Sequence, residues 1–175
     1  MDPSNNFTFQ VVEGFLTEMA ALFPDHFLHV GGDEVVFGCW QNDPKIAAWM
    51  RSQGYTTGEQ VEQYFEDRLK AIVEKISHKY PKNLVVWQEL FDNGLSLDKN
   101  IIIDVWKDKA TLASVVKAGF RGLLSAGWYL DQQIPNPSQT WYEWEDTWKN
   151  FYAVLPPLLY LYSVFLKQAN NIPFS

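Results

Sequence analysis

Only one cysteine, three histidines and 14 basic residues occur among the 175 positions, and each scarcity closes off a class of protein. The single thiol, Cys39, can form neither an internal disulfide nor a multi-cysteine zinc site, and it reads as a small buried residue. Three scattered histidines and one cysteine make no recognised ligand set, so no metal and no other cofactor is expected. Acidic residues number 21, giving a net charge of −7, whereas nucleic-acid binders usually carry a basic patch. No nucleic-acid partner is expected. No apolar run reaches the ~20 residues that a membrane span requires. The run from Leu158 to Leu166 falls well short and reads as a buried helix or strand, or as a foreign tail. Met1 to Asn6 shows no basic segment followed by an apolar one, so no signal peptide is expected. Internal repeats and low-complexity tracts are also missing.

Aromatic residues are plentiful at 16%, with eight tryptophans, and many of these rings need a core or a ligand to cover them. The stretch that organises the chain is 23–40. Its apolar run Phe27 to Val30 reads as a buried strand that ends in Gly31-Gly32 and then two carboxylates, Asp33 and Glu34. Adjacent side chains on a regular strand face opposite ways. Both acids can therefore serve one ligand only if the strand stops or bulges, which the glycine pair permits. An Asp-Glu pair after glycines is, by itself, most often a solvated turn.

Around this tip, helical and strand patterns alternate. Val12, Phe15, Leu16, Met19 and Ala20 recur at helical spacing between Phe9 and Leu22, with Pro24 beyond. Asn42-Asp43-Pro44 starts a short helix through Ile46, Trp49 and Met50 that Gly54 stops. Thr57-Gly58-Glu59-Gln60 is a capping box for a long helix with Val61, Leu69, Ile72, Val73 and Ile76 on one stripe, closed by Pro81. Leu84 to Gln88 and Ile101 to Trp106 read as strands buried on two faces, separated by a loop through Asp92-Asn93-Gly94. Asp108 caps a helix holding Leu112, Val115 and Val116, and Gly122 to Ser125 is a fourth strand. Gln132 to Trp148 reads as a long polar and aromatic loop. The alternation implies βαβ units and a parallel sheet, open equally to a doubly wound sheet and to part of a (β/α)8 barrel.

His29-Val30-Gly31-Gly32-Asp33-Glu34-Val35, preceded by Phe23-Pro24-Asp25 and followed by Cys39-Trp40, resembles the signature of the glycoside hydrolase family 20 β-N-acetylhexosaminidases. The resemblance covers roughly 7–154 and passes through four successive strand ends. It implies an α/β fold that is a partial (β/α)8 TIM barrel, about strands 4–7 of the family barrel. The expected division is 1–154 for the partial catalytic domain and 155–175 for an unmatched apolar tail.

The chemistry follows from the same resemblance. Glu34 matches the general acid that protonates the departing glycosidic oxygen, and Asp33 matches the residue that holds the 2-acetamido group. Trp87, Trp106 and Tyr129 match the aromatic walls, and Asp131 matches a contact to sugar hydroxyls that should disfavour anionic sugars. The implied substrates are glycans ending in N-acetylglucosamine or N-acetylgalactosamine. The implied setting is lysosomal or secreted, with a homo- or heterodimer among the expected assemblies. Glu34 needs burial or a close negative partner to keep its proton.

Departures from the family pattern accompany the match. An arginine, an aspartate and a histidine from earlier strands, a Trp-Gly-Glu near the eighth strand and a cysteine partner for Cys39 have no counterpart here. Gly127 stands where a proline is usual. The chain alone is expected to be weak or inactive, with exposed sheet edges. Asn6-Phe7-Thr8 forms a glycosylation sequon, which matters only if the parent protein is secreted and is read at least as well as a chance triplet.

Two other readings fit parts of the same pattern. Gly-Gly-Asp-Glu also opens the diguanylate cyclase signature, but Val35 replaces its phenylalanine and no Asp-rich metal motif precedes it. The stronger rival is a non-catalytic carbohydrate-binding or interaction fragment that would use the same tryptophan-rich end.

Overall fold

The computed structural model describes residues 1–128, together with two short strands at 133–135 and 142–144. Helix α1 (Asn6–Leu22) leads to β1 (Phe27–His29); α2 (Phe37–Asn42), α3 (Pro44–Gln53) and α4 (Gly58–Ser77) follow. Next come β2 (Asn83–Trp87), α5 (Glu89–Asp92), β3 (Ile102–Val105), α6 (Lys109–Lys117) and β4 (Arg121–Leu124). The four strands are parallel and lie in chain order, β1-β2-β3-β4.

Local chemistry explains the boundaries. Asp43 accepts the Lys45 and Ile46 amides at 2.9 and 3.0 Å, and Pro44 occupies the first turn where its missing N–H costs nothing. Gln60 Oε1 reaches back to accept the Thr57 amide at 3.1 Å, closing the capping box of α4. Asp108 Oδ1 accepts the Thr111 amide at 2.9 Å at the start of α6.

Two apolar clusters join helices to the sheet. Phe9, Leu16 and Ala20 of α1 meet Leu69, Ile72, Val73 and Ile76 of α4 over Leu28 and Leu84. Leu112, Val115 and Val116 of α6 pack on Val86, Ile103 and Val105. In the observed register Leu28, Leu84, Val86, Ile103 and Leu124 all point to one face. Among the described residues the helices therefore cover a single face of an unreversed parallel sheet. A doubly wound sheet reverses strand order and carries helices on both faces, so the arrangement is that of barrel strands.

Several expectations are corrected. The strand at Phe27 lies at the edge of the described sheet, and Phe27 is 53% exposed on the face that no described helix covers. Cys39 is exposed on the short helix α2, which the sequence pattern did not reveal. Residues 89–92 form α5, so the loop through Asn93-Gly94 starts one residue later than expected. The stretch 132–148 contains β5 (Gln133–Pro135) and β6 (Tyr142–Trp144), paired antiparallel. The run Leu158 to Leu166 lies outside the described residues.

Helix α4 also buries acid. Glu62 is 2% exposed, with Oε2 accepting from Asn93 Nδ2 at 2.8 Å. Glu66, partly buried, is pushed up to about 7 by burial and by the charges of Glu62 and Asp67. Its folded-state value lies above the unfolded one, so the folded chain holds a proton that the unfolded chain has released. The contribution of Glu66 to stability is then full below about 4.5, falls as pH rises towards about 7 and levels off above. We expect Glu66→Gln to flatten that decline and to raise stability at pH 8 by roughly 1–3 kcal/mol. Urea midpoints at pH 5 and 8 check this; an unchanged pH dependence contradicts it.

Candidate active site

β1 ends where its backbone turns left-handed. Gly31 and Gly32 have φ of 86° and 96°, and Glu34 has φ of 48°, a region that non-glycine residues rarely enter. The turn stays tied to the sheet, because the Trp87 amide donates to the Gly31 carbonyl at 2.9 Å. Asp33 and Glu34 thus project beyond the carboxyl end of β1, both exposed.

They share a cavity of about 550 Å³ with Trp87, Trp106, Ser125 and Trp128. Three neighbouring strand ends supply those four residues. Trp87 and Trp106 meet edge to face, with ring centroids 6.4 Å apart. Four of the six residues singled out in sequence line this one cavity; Tyr129 and Asp131 lie outside the described residues. The burial that an acid role asks of Glu34 is not supplied by the described residues.

Beneath the cavity lies a buried polar scaffold that sequence reasoning missed. Gln88, 1% exposed, accepts the Trp106 and Lys107 amides at 2.9 and 2.8 Å, lashing the end of β2 to the end of β3. Glu89, 5% exposed, accepts the Trp106 indole N–H at 2.9 Å and pairs with Lys107 Nζ at 3.1 Å. A buried carboxylate is tolerated when so partnered. Together these bonds fix the second indole. Polar residues directly after a strand were the signal for Gln88 and Glu89. Nothing in the pattern marked Ser125 or Trp128 as cavity-lining. Among the described residues no cluster of three or more acidic, histidine or cysteine side chains could hold a metal.

Carboxylates facing indoles across the carboxyl ends of parallel strands make a cleft suited to a sugar ring, whose apolar faces seek indole and whose edges seek hydrogen bonds. The family model "Glycosyl hydrolase family 20, catalytic domain" matches residues 1–163, and the chain belongs to that family. It is 39% identical over 156 residues to beta-hexosaminidase subunit A1 of Dictyostelium discoideum and 38% identical over 162 residues to beta-hexosaminidase subunit alpha of Rattus norvegicus. In both comparisons 89% of this chain is covered, but only 28% of the relative. The chain thus spans about a quarter of the length of these relatives.

Among solved structures, Flavobacterium johnsoniae chitobiase superposes with a TM-score of 0.64 at 29% identity, covering 77% of this chain and 21% of that one. The exo beta-N-acetylglucosaminidase of Vibrio harveyi in complex with N-acetylglucosamine gives 0.62 at 27% identity, covering 71% and 19%.

A Cβ on Gly32 would lie 2.1 Å from Leu90 Cδ1, and Leu90 is fully buried. Gly54 is also left-handed, at φ 76°, but has open space around it. Gly32→Ala should therefore cost about 2–4 kcal/mol, strain and overlap together, and Gly54→Ala only about 1 kcal/mol. Urea unfolding of both variants decides; equal losses contradict the close approach.

Proposed function

We propose that the cleft takes the terminal N-acetylglucosamine or N-acetylgalactosamine of a glycan, as part of a β-N-acetylhexosaminidase that works by substrate-assisted hydrolysis with retention. The observation that carries this reading is the single cavity in which Asp33 and Glu34 face Trp87 and Trp106. In it β1 to β4 stand for about strands 4–7 of the family barrel, and the indoles with Tyr129 wall the sugar and its acetamido group. Asp131 contacts the sugar hydroxyls. Glycans ending in N-acetylhexosamine are the substrates, the parent protein is lysosomal or secreted, and a homo- or heterodimer is its assembly.

Glu34 gives its proton to the glycosidic oxygen as the bond to the anomeric carbon breaks. The acetamido carbonyl oxygen attacks that carbon from the other side, and an oxazolinium ion forms. Asp33, ionised, holds the acetamido N–H and offsets the positive charge that grows there. Water, relieved of a proton by Glu34, then opens the ring, so the configuration at the anomeric carbon is restored. No metal is required by these steps.

Exposure of both carboxylates favours a second reading for the chain alone, a carbohydrate-binding module with little turnover. Release of a fluorescent aglycone from an N-acetyl-β-glucosaminide at mildly acid pH, measured beside Glu34→Gln, separates the two. Turnover by the chain is expected to be weak, with Glu34→Gln lowering it about 100-fold or more and changing sugar affinity less than about threefold. Turnover that survives Glu34→Gln contradicts the acid role. Binding without turnover in either form supports the module.

A further inference from the structure

Below the cavity a second polar line crosses the inner face of the sheet. His29 Nδ1 accepts the Gly31 amide at 3.1 Å, which leaves the proton of the neutral ring on Nε2. Nε2 lies 3.8 Å from Oδ2 of Asp104, two strands away on β3. The other oxygen, Oδ1, accepts the Ser125 hydroxyl at 2.6 Å, and Ser125 itself lines the cavity. From the strand between, the Trp87 indole rests against the imidazole with centroids 4.5 Å apart.

All four strand ends are thereby joined through side chains. Asp104 is only 7% exposed, and a charge placed there costs free energy that an apolar filler would not. Such a residue is not explained by packing. Its one strong hydrogen bond and its aim at His29 make sense as orientation.

We infer that His29 is a positioning residue, which pins the Gly31-Gly32 turn carrying Asp33 and Glu34 and seats the Trp87 indole at the same time, while Asp104 and Ser125 orient its ring. Its consequence for catalysis rests on the proposed sugar site; the contacts themselves do not. Partial desolvation of the ring, a third of which stays exposed, holds the imidazole below the ordinary histidine range, and the charged groups acting on it, Asp104 from β3 and Asp33 from the loop after β1, pull the other way.

The test uses the full chain and two readouts. A protonated imidazole quenches an indole that it touches, so Trp87 emission, taken as the difference from Trp87→Phe, should titrate with a midpoint below about 6.5. Asp104→Asn should move that midpoint further down, because a charge that favours the imidazolium has gone. His29→Asn should abolish the titration yet keep the Gly31 amide protected from hydrogen exchange, its Oδ1 replacing Nδ1 as acceptor. His29→Ala should lose both, with exchange at Gly31 faster by about tenfold. A titration that persists in His29→Asn, a midpoint indifferent to Asp104→Asn, or equal Gly31 protection in all forms overturns the inference. If these results hold while the chain binds no N-acetylglucosamine, the positioning role stands and the sugar-site reading fails.

Discussion

The close approach of Gly32 to Leu90 is the contact on which the site depends. Leu90 is the fully buried centre of α5, and it can sit under the turn only because no side chain intervenes. With the backbone left-handed at both glycines, β1 ends, the chain stays bonded to Trp87 through Gly31, and the two carboxylates emerge over the sheet instead of on opposite faces. The positive φ of Glu34 is the remaining strain. Strain of this kind persists only where the surroundings over-determine it, and here a β-strand, a buried leucine and a histidine acceptor all hold the same turn.

The sheet supplies a rigid floor by a different means. Its helix-covered face is closed by apolar packing of α1, α4 and α6, whereas its inner face ends in polar residues that bind one another. Gln88 ties β2 to β3, Glu89 holds the Trp106 indole, and Asp104 links β3 to β4 through Ser125. Gln88, Glu89 and Asp104, all buried, are thus each matched to a neighbour whose position bears on the cavity. A fold assembled from successive parallel strands puts these groups at one end by topology alone, and loop variation there leaves the packed face untouched.

Much of this was legible in the residues. Asp43-Pro44, Thr57 to Gln60 and Asp108 declared their helices because capping is a local exchange of hydrogen bonds. The apolar runs at 84–86 and 101–103, mostly valine and isoleucine, declared strands, and Val85, Val86 and Ile101 to Ile103 are indeed buried. What stayed hidden depends on partners distant in sequence. Phe27 looks as apolar as Val86, and only the sheet order reveals that it lies at an edge. Cys39 and α2 carry no periodic stripe, since six residues complete too few turns to show one. His29 and Asp104, 75 positions apart by number, meet only through strand register, and no local pattern announces a contact of that span. Likewise the choice between barrel and doubly wound sheet was decided by the shared face of Leu28, Leu84, Val86 and Ile103, not by the alternation of elements.

In the proposed function these strand ends form one site that recognises an N-acetylated sugar. Calorimetric titration of the 175-residue chain with N-acetylglucosamine and, separately, with glucosamine tests it most directly. Weak, saturable binding of the N-acetylated sugar is expected, at least about tenfold weaker for the amine, which has no acetamido group to offer the contacts proposed for Asp33 and the indoles. Equal affinity for the two sugars, or no binding of either, would contradict it.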